Sequence, residues 1–467
     1  MGAGKQLTVF NPFDRSIIQS IPMHDSEKLA SALDCAYQLF IDQKNWLPAH
    51  QRISILDKMR SLMQERAEDL TILATREGGK PYVDSRVEIA RAINGVRTAA
   101  DEIGRLVGTQ IPLGLTPAST GRLAFTLREP IGVVAAISAF NHPINLIVHQ
   151  VVTAFAAGCP VIVKPAGTTP LSCLALVDLL TQAGVPPGWI QVLVLDNGDA
   201  EKLATDRRIA YLSFIGSAKV GWNLKSKLAP GTRCALEHGG AAPVIVDQDT
   251  DLDEAVPILA KGSFYHAGQV CVSVQRIYVN HAIGRQLAEK LADAAKKLKV
   301  ADPLDPTTEV GPLILPKEVE RVQAWVQEAV KEGAELLSGG YPIGDTLYAP
   351  TVLWNPNKSS KVSQEEVFGP VVCIYPFEDL EAAIFDANAL PYHFQAAVFS
   401  KNLETALKCV QGLNASTVMV NDHTAFRVDW MPFAGRDESG EGVGGIGYSM
   451  REMTREKLLV FKSSSLL

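Results

Sequence analysis

Apolar positions recur every three or four residues through the first hundred residues and then shift to short continuous runs. Helices are therefore predicted first and buried strands after them. Leu29, Leu33 and Phe40 share one face behind Asp25, a residue suited to capping a helix N-terminus. Ile53, Leu56, Met59, Leu62, Leu70 and Leu73 keep the helical spacing, and Gly78-Gly79 supplies a stop. Residues 25–76 thus read as two amphipathic helices. A third is predicted over residues 85–107, where Ile89, Ile93, Val96, Ala100, Ile103 and Val107 step by fours and threes. Residues 122–129 read as a strand ahead of Pro130.

From residue 131 short apolar runs alternate with helical segments. Strands are expected at 131–137, 160–163, 191–195 and 210–214. Helices are expected after Pro143, over 171–182, near 200–204 and after Gly216-Ser217. A βαβ series implies a parallel, doubly wound α/β sheet, buried on both faces and therefore rich in Val, Ile and Leu. A second series starts at 243–246 and continues through a helix at 251–265, a strand at 272–279 opened by Cys271, and a helix at 282–298. Residues 301–303 and 339–340 mark loops, and residues 457–461 form a candidate edge strand.

A chain of 467 residues exceeds what one hydrophobic core serves, so two or more domains are expected. With a net charge of −7 and no basic stripe interleaved with aromatics, nucleic-acid binding is not expected. The seven cysteines are scattered singly with no C-x-x-C pair, which points to a reducing compartment without disulfide framework or thiolate metal site. The first six residues carry neither a secretory apolar core nor the Ser or Thr of a myristoylation motif. The longest apolar run, residues 131–140, falls far short of a membrane span, and the cytoplasm is the expected location.

Cys271 sits in Gly268-Gln269-Val270-Cys271-Val272-Ser273-Val274, where a lone cysteine between valines would ordinarily be a small buried hydrophobe. Its company changes that. Glu237 lies in Leu236-Glu237-His238-Gly239-Gly240, Asn141 in Ala139-Phe140-Asn141-His142-Pro143, and Glu366 in Glu365-Glu366-Val367-Phe368-Gly369-Pro370. A thiol, a carboxylate, a carboxamide and a second carboxylate in these settings resemble the aldehyde dehydrogenase superfamily, from about Phe10 to about Phe461.

The resemblance implies a doubly wound, parallel-sheet cofactor domain over 1–112 and 131–239 and an α/β catalytic domain over 240–430. It also implies a small β oligomerisation element over 113–130 and 450–467, and hence a homodimer or homotetramer. It makes Cys271 the nucleophile, whose thiolate attacks the aldehyde carbon. Glu237 becomes the base that activates water against the thioester, and Asn141 the oxyanion donor beside the Cys271 N–H. Cofactor contacts fall to Lys164, Gly167, Gly216, Ser217, His238, Glu366 and Phe368. Read without the resemblance, several of these have ordinary explanations: Asn141 as a helix cap, Glu237 as a solvated rim residue, Lys164 as a solvated strand end and Phe368 as core. Glu237 separates this chain from members that pass the acyl group to coenzyme A, which typically lack the carboxylate. The intact set of Cys271, Glu237 and Asn141 disfavours an inactive, cofactor-binding structural member.

Gly167 stands where NAD-preferring members often place a glutamate. Its absence removes repulsion against a 2′-phosphate without supplying an anchor, so NAD and NADP both stay open. Phe140 replaces a frequent tryptophan, His238 a frequent leucine, and Ala434 and Asp437 a frequent Gly and Lys. For substrate, Arg91, Arg97 and Arg105 ride the helix at 85–107. Arg91 and Arg105 sit opposite its apolar stripe with acidic neighbours within a turn, which favours a solvated face over an anion-binding wall. His142 reads as a first-turn residue facing solvent. If the helix is covered, Arg91 and His142 instead suit a small polar or anionic aldehyde. No metal is expected.

Overall fold

The computed structural model describes residues 5–465. The expectation for the extreme N-terminus, over residues 1–4, and the last two residues of the 450–467 element lie outside the described residues. The apolar runs after residue 131 form strands buried on both faces, with Val133 to Ala136 and Val161 to Val163 at 0% exposure. Five pair in parallel: Arg233–Glu237, Ile209–Ile215, Val133–Ile137, Val161–Lys164 and Ile190–Val192, in that spatial order. Gly440–Glu441 adds an antiparallel edge beside Arg233–Glu237. The chain moves outward from Val133–Ile137, then returns to build the other side. Strand order therefore reverses between Val133–Ile137 and Ile209–Ile215, the position where open α/β sheets leave a crevice at their carboxyl ends.

The second series builds a seven-stranded sheet in the order Glu335–Ser338, Thr351–Trp354, Val371–Phe377, Val274–Asn280, Ala242–Val246, Gln395–Phe399 and Thr417–Val420. Only Glu335–Ser338 runs antiparallel to its neighbour. Its core gathers Val244, Ile245, Ile277, Val279, Ile374 and Val398, all fully buried. Thr454–Lys462 pairs antiparallel with Arg122–Pro130 over nine residue pairs. The short strand Gln110–Ile111 lies on the other side, which leaves Thr454–Lys462 as the sheet's edge.

Several predicted boundaries move. Residues 25–76 hold three α-helices, Ser26–Ile41, Ala49–Glu65 and Ala67–Gly78. The second break occurs at Arg66, whose backbone (φ −108, ψ 20) leaves helical geometry with no glycine or proline to announce it. Asp25 does cap, accepting from Lys28 N–H at 2.9 Å, and Gly79 ends the third helix in the left-handed conformation (φ 73). The next helix runs Tyr82–Ile103 and stops at Gly104, so Val107 is 68% exposed and outside the stripe. The helix after Pro143 is continuous from Asn145 to Ala157 but carries a π-turn at Val148–Val152. Cys271 does not open its strand. Ser273 N–H closes a turn onto Val270 O at 2.9 Å, and the strand begins at Val274.

Candidate active site

The carboxyl ends of the first parallel sheet and the amino ends of the second, where Gly239, Cys271 and Glu366 precede their strands, face one cavity of about 1160 Å³. All twelve residues singled out from the sequence line it: Cys271, Glu237, Asn141, Lys164, Gly167, Gly216, Ser217, His238, Glu366, Phe368, Arg91 and His142. They come from segments spread over nearly 280 residues (91 to 368), and the fold brings every one to the same space.

The loop bearing Cys271 is built from a tight reversal, with His266, Ala267 and Gly268 all at positive φ (50, 54 and 71). Gly268 is required there, since a Cβ would stand 2.1 Å from the Gly369 carbonyl oxygen. The turn that follows is tied down by Thr424 Oγ1, which donates to Val272 O at 2.6 Å. Burial pushes the Cys271 thiol well above its usual range; Glu237 adds to the rise and Arg427 opposes it. Asn141, 6% exposed, donates from Nδ2 to Gln269 O at 3.0 Å, two residues before the thiol. It is not the helix cap that its position ahead of Pro143 suggested. The N–H groups of Ile144 and Asn145 go instead to Glu88 Oε1, at 2.9 Å each.

Glu237 ends the strand Arg233–Glu237 with its carboxylate on the cavity, and among the described residues no group donates to it. Burial raises its pKa, with Arg427 pulling the other way. Glu366 accepts from Gly240 N–H at 3.2 Å, and burial pushes it up to about 8. A Cβ on Gly239 would overlap the Glu366 carboxylate at 1.6 Å, so a larger residue there would displace that carboxylate. Phe368 (φ 45) meets Phe140 edge to face at 5.9 Å. His238 is 1% exposed; it donates from Nδ1 to Gly216 O at 2.9 Å and is packed between Phe214 and Trp222. Gly216-Ser217 leads into the helix Ala218–Lys225. Half-buried Lys164 has no carboxylate partner among the described residues, and burial lowers its pKa. Around Gly167 no atom lies within 4 Å of the place a Cβ would take.

Two expectations about the substrate end are corrected. Arg91 is not on a solvated face: its side chain is 24% exposed and bound at two points to Asp429, which is 1% exposed. Its helical neighbour Glu88 is engaged elsewhere, with Lys80. His142 does not face solvent either. It is half-buried, with Nε2 3.2 Å from Tyr265 Oη, and burial holds its pKa well below normal. Arg91 is covered by the loop after Thr417–Val420, where sequence patterning gave no sign of a site, and His142 by Tyr265 and His266 from the segment ahead of Cys271.

That loop also supplies the residue the sequence reading missed. Arg427 lines the cavity with its guanidinium 3.5 Å from the centre of the Phe433 ring. Its charge acts on both Glu237 and Cys271, and it forms no ion pair among the described residues. Asp429, two residues on, accepts from Arg91, from Asn145 Nδ2 at 3.0 Å and from His149 Nε2 at 2.8 Å. Burial pushes Asp429 up, but the His149 hydrogen bond and the Arg91 charge outweigh it and hold the carboxylate ionised. His149, lowered to about 4 by burial first and then by Arg427, donates as a neutral ring. The one available signal was an Arg and an Asp two residues apart, just before Pro432-Phe433.

The model of the aldehyde dehydrogenase family matches residues 1–459. The 3-sulfolactaldehyde dehydrogenase of Priestia megaterium is 40% identical over 418 residues, covering 89% of this chain and 87% of its own. Among solved structures, aldehyde dehydrogenase 21 from Physcomitrella patens, in complex with the reaction product succinate, superposes with a TM-score of 0.96 at 33% identity. That match covers 100% of this chain and 97% of the other. Glyceraldehyde-3-phosphate dehydrogenase GapN from Methanocaldococcus jannaschii, complexed with NADP, gives 0.94 at 35% identity, covering 99% and 100%.

Proposed function

The chain belongs to the aldehyde dehydrogenase family, an NAD(P)-dependent oxidoreductase of that fold, and from that premise we propose that it oxidises a small anionic aldehyde to the free acid. The observation that carries this is Arg427, a cation with no ion pair among the described residues, on the wall of the cavity that holds Cys271, Glu237 and Asn141. Arg91 is already neutralised by Asp429, exposed Arg86 lies at the solvent side, and Lys164 stands at the end of its own strand, so Arg427, whose charge reaches both Glu237 and Cys271, suits a sulfonate, carboxylate or phosphate on the substrate. The named relatives, one a sulfolactaldehyde enzyme and one holding succinate, support this class.

Cys271 as thiolate attacks the aldehyde carbon to give a thiohemiacetal, and the Asn141 amide N–H not engaged by Gln269 O, with the Cys271 N–H, receives the oxyanion. The residues around the strand ends fit a dinucleotide: Lys164 and Gly167 toward the adenosine ribose, Gly216-Ser217 toward the pyrophosphate, Glu366 toward the second ribose, with His238 and Phe368 packed alongside. Such a dinucleotide, when bound, supplies the hydride acceptor. Glu237, whose carboxylate has no hydrogen-bond donor among the described residues, takes a proton from the water that hydrolyses the Cys271 thioester, and the acid leaves. Glu237 on the cavity wall favours water over coenzyme A as acceptor. The edge strand Thr454–Lys462, with Leu458, Val460 and Phe461 more than half exposed, suits pairing with a second copy of the chain.

The test is NAD(P)H formation with three-carbon aldehydes bearing sulfonate, carboxylate, phosphate or hydroxyl groups. The parent should show its lowest KM with an anion, Arg427→Gln should lose that advantage, and Cys271→Ala should be inactive on all. A lower KM for the neutral aldehyde in the parent sinks the substrate class; turnover by Cys271→Ala sinks the chemistry.

A further inference from the structure

Behind the cavity lie two charged residues that do not line it. Lys80 and Glu88, 0% and 1% exposed, are ion-paired to each other. Glu88 rides the helix Tyr82–Ile103, and Lys80 follows the left-handed Gly79 that ends the preceding helix. The second carboxylate oxygen of Glu88 accepts from Ile144 N–H and Asn145 N–H at 2.9 Å each. Lys80 Nζ donates to the backbone carbonyl of Asn141 at 3.2 Å. One buried pair therefore fastens the chain at 141, 144 and 145, on either side of the bend that enters the helix at Asn145. No side chain within that bend caps the helix.

Stability alone accounts poorly for such a pair. Removing two charges from water carries a large desolvation cost, and apolar residues of similar volume often stabilise a core as well or better. What apolar residues would not supply is a donor to a carbonyl and an acceptor for two N–H groups within one five-residue segment. That segment carries Asn141, whose amide bridges to Gln269 O in the loop of the nucleophile.

We propose that Lys80 and Glu88 are positioning residues for the oxyanion donor: they fix the Asn141 backbone so that its side-chain amide meets the carbonyl oxygen of a substrate attached to Cys271. This rests on Asn141 serving as that donor. An oxyanion site works through donors already in place when charge develops, so a small displacement of the segment lowers acylation while leaving distant binding intact.

The test uses Lys80→Met, and the double variant Lys80→Met/Glu88→Gln, which removes both charges with side chains of similar size. Single-turnover NAD(P)H formation reports acylation, fluorescence titration reports NAD(P)H affinity, and thermal unfolding reports stability. We expect acylation to fall roughly tenfold to a hundredfold in both variants. Cofactor affinity should stay unchanged, and Lys80→Met placed on Asn141→Ala should slow acylation no further. The double variant should regain the Tm that the single variant loses without regaining its acylation rate. Recovery of both together would make the pair merely structural and overturn the proposal, as would parent-like acylation by Lys80→Met. If Asn141→Ala itself acylates at the parent rate, the oxyanion assignment fails instead.

Discussion

Arg91 and Asp429 are joined at two points, Nε to Oδ2 at 3.1 Å and Nη2 to Oδ1 at 2.8 Å, across 338 residues of chain. The contact ties the helix Tyr82–Ile103 to the loop that carries Arg427 and leaves Arg91 engaged, while half-buried Arg427 has no ion pair among the described residues. Asp429 also satisfies Asn145 and His149, so deleting it strands the donors of three side chains at once. Asp429→Ala is expected to destabilise the protein by about 3–5 kcal/mol, the range for breaking a buried ion pair. Arg91→Ala leaves Asp429 two partners and should cost less. Denaturant unfolding of both variants checks the order; equal losses would mean the loop is held by other contacts.

Arg427 and Glu237 are linked through charge, and the link has a direction. Burial raises the Glu237 pKa and Arg427 pulls it down. A base must be ionised, so turnover should fall with acid at a pH above the ordinary glutamate range. Removing the cation in Arg427→Gln should move that acid limb to still higher pH. The same change raises the Cys271 thiol further, which acts in the same sense. A pH profile of kcat with a neutral aldehyde, which avoids the loss of anion binding, measures the displacement. A limb that stays in place, or moves toward acid, would show that Arg427 does not act on these groups.

Cys271, Glu237 and Asn141, the three groups proposed to react, could be singled out because each stands in a short, distinctive sequence setting that survives without knowledge of tertiary contacts, and the fold brings all three to one cavity. The parallel sheets were legible for the same local reason: continuous apolar runs signal strands covered on both faces. Asn141 was open to reading as a cap because nothing local shows that Glu88, 56 residues before Ile144, takes the helix's first N–H groups. Arg91 was placed on a solvated face because a helical wheel assumes that the side opposite the core meets water; here a loop from the far end of the chain covers it. Arg427 escaped altogether. It lies in a stretch with no periodicity and no flanking glycine, and its place is set by the Phe433 ring and by the Arg91–Asp429 pair that anchors its loop, contacts that only folding creates.

Glu77 gives stability its own pH dependence. Its carboxylate, 0% exposed, accepts from Leu171 N–H at 2.8 Å and Ser172 N–H at 2.7 Å, capping the helix Pro170–Ala183 from another segment. Burial raises it from 4.5 to about 7. The folded state therefore holds a proton that the unfolded chain releases near 4.5, and stability present below that pH is lost as pH rises toward 7. At 1.36 kcal/mol per unit the loss is about 3 kcal/mol. Glu77→Gln cannot ionise, so the parent's unfolding free energy minus the variant's should fall by about that amount between pH 4 and 8. A difference that stays flat would mean that folding leaves the Glu77 pKa where the unfolded chain has it.

Cofactor choice should respond to a single side chain at Gly167. Lys164, at the end of its strand, lacks a carboxylate partner among the described residues, and a Cβ on Gly167 would meet nothing within 4 Å. The backbone there is not in the positive-φ region, so a side chain enters without strain. In Gly167→Glu the new carboxylate reaches the space beside Lys164. With NAD it gains ribose hydroxyls as hydrogen-bond donors; with NADP it meets a 2′-phosphate of like charge. Even a repulsion of about 1.4 kcal/mol amounts to a tenfold change. The ratio of kcat/KM for NADP to that for NAD should therefore fall at least about tenfold in Gly167→Glu, whichever cofactor the parent prefers. Because the ratio is taken within one protein, any general loss of activity cancels. An unchanged ratio would place the adenosine ribose away from residues 164–167 and require a different seat for the dinucleotide.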